Sequence, residues 1–100
     1  MAVIEIAEVS SSSGRAGDLE AAIPQILEVL AGQPGAGTCA ALRGVEDPGA
    51  FLLEIEWDSL EAHAAFRKSP DFSRYQALVR GLMEGDARLA HYRLVARVGG

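Results

Sequence analysis

Five side chains in this chain of 100 residues could do acid–base or hydrogen-bond chemistry on a small molecule: Trp57, His63, Tyr75, His91 and Tyr92. Histidine titrates near neutrality and is the natural general base. A tyrosine hydroxyl could donate to a substrate carbonyl, and an indole N–H to a substrate oxygen. His63 is the best single candidate for the base. On a helical wheel of about 100° per residue it lies roughly 60° from Phe66, at the edge of the inward face made by Ala62, Ala65 and Phe66. Each residue also has a plain structural reading. Trp57 would be core with its N–H tied to an acceptor, His63 a half-exposed surface residue, and Tyr75 and Tyr92 core residues with satisfied hydroxyls. His91 would join Arg93 on the uncovered sheet face, in a polar network with Glu54 or Glu56. Two histidines and the single Cys39 in separate elements make no metal motif. The glycine run GQPGAG follows a helix rather than a strand, so it is no phosphate loop, and there is no nucleophile elbow.

The elements that must carry these residues follow from hydrophobic period and caps. Val3 to Val9 (VIEIAEV) alternates acids with β-branched residues and reads as a strand. After the SSSSGRAG loop, Asp18 is a plausible N-cap, and Leu19, Ile23, Ile26, Leu27 and Leu30 form one helical stripe. Pro24 should kink that helix or delay its regular part. Thr38 to Val45 is a weaker strand. Phe51 to Trp57 (FLLEIEW) is a clear one, with Phe51, Leu53, Ile55 and Trp57 on one face. Asp58 or Ser59 caps the next helix, with Glu61 placed for a capping box to Asp58. Ser69-Pro70 restarts a third helix running to about Leu82. Arg88 to Val98 is expected as a long last strand, with Ala90 and Tyr92 on one side and His91 and Arg93 on the other. The order β-α-β-β-α-α-β predicts an α+β, ferredoxin-like domain over residues 1–100: a four-stranded antiparallel sheet with helices on one face.

Composition narrows the partners. The net charge is −5 with nine basic residues scattered along the chain, so no nucleic-acid or anionic-membrane footprint is expected. The N-terminus has no basic n-region, no apolar run reaches the length of a spanning helix, and one cysteine suits a reducing, cytoplasmic setting. An apolar fraction of 49% is high for so small a chain and hints at a buried interface. The uncovered sheet face would be closed by a second copy in a two-fold contact.

Trp57 directly after a strand, then Ser59, Glu61-Ala62, Ser69-Pro70, Phe72 and Tyr75, stand in an order and spacing that resembles the antibiotic biosynthesis monooxygenase domain family. The Pro34, Gly37 and Cys39 segment and the Asp47-Pro48 turn extend the resemblance to nearly the whole chain. It implies a homodimer forming a dimeric α/β barrel, with a pocket between sheet and helices that takes a small apolar or aromatic ligand. Characterised members oxidise phenolic polyketides such as anthrones with O₂, using no metal or flavin. On this resemblance no cofactor is expected; His63 is the expected catalytic residue, and Trp57, Phe66, Phe72, Tyr75 and Tyr92 the expected pocket. Two positions depart from the family: Ile55 stands where members often have an acid, and Phe66 where they often have a histidine. Phe66 and Gln76 also stand where haem-degrading relatives carry their functional residues, which disfavours that activity. The expected function is a cofactor-independent monooxygenase acting on a phenolic or quinol-like compound, with a non-catalytic homodimeric ligand-binding protein as the alternative.

Overall fold

The computed structural model describes residues 2–100. Its elements are β1 (Val3–Ser10), α1 (Ala16–Ala31), β2 (Ala36–Arg43), β3 (Ala50–Trp57), α2 (Leu60–Arg67), α3 (Pro70–Val79) and β4 (Arg88–Tyr92). The strands form one antiparallel sheet in the order β2-β3-β1-β4. This is the ferredoxin-like α+β architecture expected from the element order. The helices cover one face. On that face lie Ala7 and Val9 of β1 and Phe51, Leu53, Ile55 and Trp57 of β3, packed against Leu19, Ile26, Val29 and Leu30 of α1 and Phe66 of α2.

Several local expectations need correcting. α1 begins at Ala16, so Asp18 is not its cap; it sits in the first turn, where its carboxylate accepts from Arg15 Nε at 2.6 Å. Pro24 is absorbed without breaking the helix, which runs continuously to Ala31. Its ring is exposed, and so is Glu20 one turn earlier, whose carbonyl loses the partner, so water can satisfy it. The N-cap of α2 is Ser59, the second of the two expected caps, whose Oγ accepts from Ala62 N at 3.1 Å, while Asp58 N donates to Gly35 O and not to a capping-box Glu61. α3 ends at Val79, three residues before Leu82, where Gly81 adopts φ 77°. β4 stops at Tyr92, far short of Val98. Tyr92 pairs with Ile4, and β1 begins one residue before Ile4, so the last strand runs out of partner backbone.

Two contacts set the helices over the sheet. Gly35, at φ 84°, lets the start of β2 pass beneath α2: a Cβ there would lie 2.7 Å from Ala62 Cβ, and its carbonyl accepts from Asp58 N at 2.8 Å. Buried Gln33, just past α1, donates through Nε2 to Val29 O at 2.8 Å and to Asp71 Oδ2 at 2.9 Å. That amide pins the first turn of α3 to the end of α1, and with it the rings of Phe72 and Tyr75.

Candidate functional site

β1 is a central strand, and its helix-side residues Val3, Glu5, Ala7 and Val9 would ordinarily all be apolar. Glu5 is not, yet only 6% of its surface is exposed. Opposite it are Ile55 on β3 and His91 on β4. Trp57, wholly buried at the end of β3, donates its indole N–H to Glu5 Oε1 at 2.9 Å. From α2 above, His63 Nε2 approaches the same Oε1 at 3.2 Å. The His63 ring stacks on Trp57, with centroids 5.2 Å apart and planes inclined by 15°. Its other nitrogen, Nδ1, lies 2.7 Å from His91 Nε2. His91 itself is exposed. A hydrogen-bonded line therefore runs from solvent through His91 and His63 to a buried carboxylate.

Burial sets the electrostatics. It pushes the Glu5 carboxyl up from its ordinary 4.5, while the Trp57 hydrogen bond and the charges of His91 and Arg67 pull it back. His63 is driven down from 6.5 to about 4, first by burial and then by the neighbouring His91 and Arg67. The His63–Glu5 contact has ion-pair distance, but a histidine with that pKa is neutral at pH 7. It is a hydrogen bond from a neutral imidazole. The network assigns the tautomer: Nε2–H donates to Glu5, and Nδ1 accepts from His91. Both donors meet Oε1, and no buried side-chain nitrogen or oxygen among the described residues lacks a partner, so Oε2 is the oxygen left open to space.

That space is a cavity of about 480 Å³ between the sheet and α2–α3. Glu5 and His63 form its polar floor. Phe66, Phe72, Tyr75 and Val79 form its apolar wall, and Arg67, Gln76 and Arg80 also reach it. The three rings of the wall pack on one another, Phe66 edge-on to both Phe72 and Tyr75. Burial and the Glu5 charge push the Tyr75 hydroxyl up to about 12, so it stays a proton-bearing donor at neutral pH. The volume falls within the range of small-molecule sites. A carboxylate with one free oxygen beside an apolar, aromatic wall can take a proton from a bound organic molecule and hold the resulting anion near N–H and O–H donors.

The residues expected from the sequence are placed as follows. His63, Phe66, Phe72 and Tyr75 come together around the cavity. His63 is not a half-exposed boundary residue, since only 4% of it is exposed. Trp57 stands behind His63 rather than on the cavity wall, because the imidazole stacks over its ring. Tyr92 is not at the cavity: the register pairs it with Ile4, which puts it on the uncovered sheet face, 56% exposed. The same register turns His91 to the helix side, opposite Glu5, away from Glu54 and Glu56. Glu5 was missed altogether. Its signal was parity, a lone acid sharing the face of Val3, Ala7 and Val9, hidden because Ile4 and Ile6 make the other face look equally apolar.

Against this geometry, comparison with known proteins is specific. Residues 2–78 match the family model described as antibiotic biosynthesis monooxygenase. The uncharacterized protein YczJ of Bacillus subtilis (strain 168) is 26% identical over 92 residues, covering 91% of this chain and 97% of that protein. A crystal structure from Bordetella bronchiseptica, with the same family description, superposes with a TM-score of 0.90 at 27% identity, covering 95% of this chain and 98% of that one. SnoaB from Streptomyces nogalater, a cofactor-independent oxygenase, superposes with a TM-score of 0.83 over 99% of this chain and 98% of its own; at 15% identity it speaks for the fold. The match runs from β1 to all but the last residue of α3, and on it the chain belongs to the antibiotic biosynthesis monooxygenase family.

Proposed function

We propose that the protein is a cofactor-independent monooxygenase acting with O₂ on a small phenolic, anthrone-like or quinol-like compound. The observation that carries the reading is the buried Glu5 with its free Oε2 at an aromatic-walled cavity of about 480 Å³. Family membership and the oxygenase activity of SnoaB support the same class of reaction.

In the reading for a methylene substrate, Glu5 Oε2 takes one C–H proton. The carbanion, conjugated with the aromatic rings, gives one electron to O₂, and the two radicals join as a C–O bond. The peroxide anion recovers a proton from Glu5. Glu5 then takes the second C–H proton as the O–O bond breaks, and the departing hydroxide recovers that proton from Glu5 and leaves as water. The balance is CH₂ + O₂ → C=O + H₂O. His63, with both nitrogens already bonded, acts by holding Oε1 rather than by exchanging a proton with the substrate. The Tyr75 hydroxyl is a donor to the developing oxyanion. Trp57 and His63 leave one oxygen of the carboxylate free and oriented.

The reading includes a homodimer through the open sheet face. Ile4, Ile6 and Leu52 are only partly covered there, and Leu42 and Tyr92 are exposed. Sedimentation at micromolar concentration should show a dimer; a monomer alone would remove this part. The free Cys39 fits a cytoplasmic setting. Among the described residues no helix is long and apolar enough to cross a membrane.

The test is oxygen uptake by metal-free protein with a panel of anthrones and dihydroxynaphthalenes. A rate above the spontaneous one, lost in Glu5→Gln, supports the reading. No enzymatic rate across the panel overturns it, and tight binding without turnover would point to the non-catalytic ligand-binding alternative.

A further inference from the structure

The geometry points to a proton path through the floor of the cavity: Glu5 exchanges its proton with solvent along His63 and His91, with neither imidazole leaving its place. His91 Nε2 lies 2.7 Å from His63 Nδ1, and His63 Nε2 lies 3.2 Å from Glu5 Oε1. His91 is exposed, and no hydrogen bond among the described residues engages its Nδ1, so the outer end of the line is open to water. Trp57 closes the inner end, since its indole N–H donates to Oε1 and only donates.

Imidazole is the side chain that can take a proton on one ring nitrogen while giving one up from the other. In the first state His91 carries the extra proton, His63 is neutral and Glu5 is a carboxylate. His91 Nε2 then passes a proton to His63 Nδ1 as His63 Nε2 passes its own to Glu5 Oε1. In the second state Glu5 is a neutral acid, His91 is neutral, and His63 is neutral in its other tautomer. Each hop reverses a hydrogen bond and breaks none, and the total charge is unchanged. The His63 ring is held against turning over, because it stacks 5.2 Å from Trp57 at 15° and is bonded at both nitrogens. Burial, which keeps His63 uncharged, favours the paired hop over a resting imidazolium.

Other titratable groups surround the line. Arg67 of α2 acts on Glu5 and His63, and Tyr75 of α3 and Cys39 of β2 feel the Glu5 charge. Arg80 and Asp86 reach the cavity from the end of α3 and the segment after it. Among the described residues none of these is hydrogen-bonded to Glu5, His63 or His91, so each acts on the path through space. The path matters when the cavity is filled. A ligand over Oε2 cuts that oxygen off from water, whereas Oε1 keeps its route through the floor. A Glu5 that is an acid when the ligand arrives can still become the carboxylate that takes a C–H proton. That use rests on the proposed role of Glu5 as base; the path itself rests on the hydrogen-bonded line.

The test is the exchange of the His63 Nε2–H with water, read by NMR in isotope-labelled protein from its line width and from magnetisation transferred from water. That exchange needs both hops, one out to Glu5 and one in from His91. It should be fast in the unaltered protein. His91→Gln keeps an N–H donor for His63 Nδ1, and so keeps the tautomer, but an amide hands on no proton. Glu5→Gln keeps an acceptor for the His63 Nε2–H that takes up no proton. Each variant should slow the exchange by about 10²-fold or more. A looser fold only speeds exchange, so slowing in either variant marks loss of the path. Equal rates in all three proteins, fast or slow, overturn the proposal. Slowing by Glu5→Gln alone overturns it too, because His91 then plays no part. No substrate is used, so failure of the path leaves the oxygenase reading standing, and failure of oxygen uptake leaves the path standing.

Discussion

The helix-covered face of the sheet has two halves built on the same strands. Under α1, Ala7, Val9, Phe51 and Leu53 meet Leu19, Ile26, Val29 and Leu30, a dry apolar core. Under α2 and α3, β1 and β3 bring up Glu5 and Trp57 and β4 adds His91, with His63 descending between them and a cavity alongside. The change occurs within one strand, between Glu5 and Ala7. The dry half makes a large apolar contribution to the driving force for folding. The polar half can then hold a buried carboxylate and two neutral or exposed imidazoles, an arrangement that is tolerated because Trp57 and His63 both donate to Oε1 and the other carboxylate oxygen is left open to space. Stability and chemistry are thus divided across a single sheet face.

That division is open to direct attack. The largest effect should come from Glu5→Gln, which keeps an acceptor for the Trp57 and His63 N–H groups but removes the base. Oxygen uptake should fall by about 10²–10⁴-fold, with the fold retained. Ile26→Val in the dry half should leave the rate unchanged, and a comparable loss of rate there would erase the distinction between the halves. For stability the ranking inverts. Ile26→Ala should cost about 2–5 kcal/mol by urea unfolding, because Ile26 is wholly buried in the core.

Acid should probe only the polar half. Because His63 titrates near 4 instead of 6.5, the unfolded chain binds a proton across that window that the native state does not. Stability should therefore fall as pH drops from 6.5 toward 4, by at most about 3 kcal/mol. Glu5 has the opposite sign. Its raised pKa lets the native state protonate first, so it adds stability on the acid side that is lost as pH rises above 4.5. Unfolding at pH 7.5 and pH 5 should show a smaller acid loss in His63→Gln than in the unaltered protein, and an unchanged one in Ile26→Val. The smallest effect expected is Ser59→Ala, which removes the cap of the helix carrying His63 and should cost about 1 kcal/mol.

Much of this molecule is legible in local pattern. The Phe51–Trp57 strand alternates cleanly, and Ser69-Pro70 marks the start of α3 because serine and proline suit a helix N-terminus whatever surrounds it. The site is less legible because its members are drawn from distant positions: Glu5, Trp57, His63 and His91 come from four elements. His63 has a boundary position on its own helix and becomes buried only because Trp57 and His91 close over it. Tyr92 and His91 look like core and surface in the sequence and exchange places in the fold, since the register of β4 on β1 decides which parity faces the helices.

By itself the sequence determined the kinds and order of the elements, the starts of α2 and α3, and the apolar faces of α1 and β3, because these depend on interactions among near neighbours along the chain. Only the tertiary structure decided that a strand acid and two histidines meet, that one imidazole is neutral, and that one carboxylate oxygen remains free. Those outcomes depend on strand register and on burial by residues far away in sequence, and burial is what turns a common glutamate and a common histidine into a poised pair.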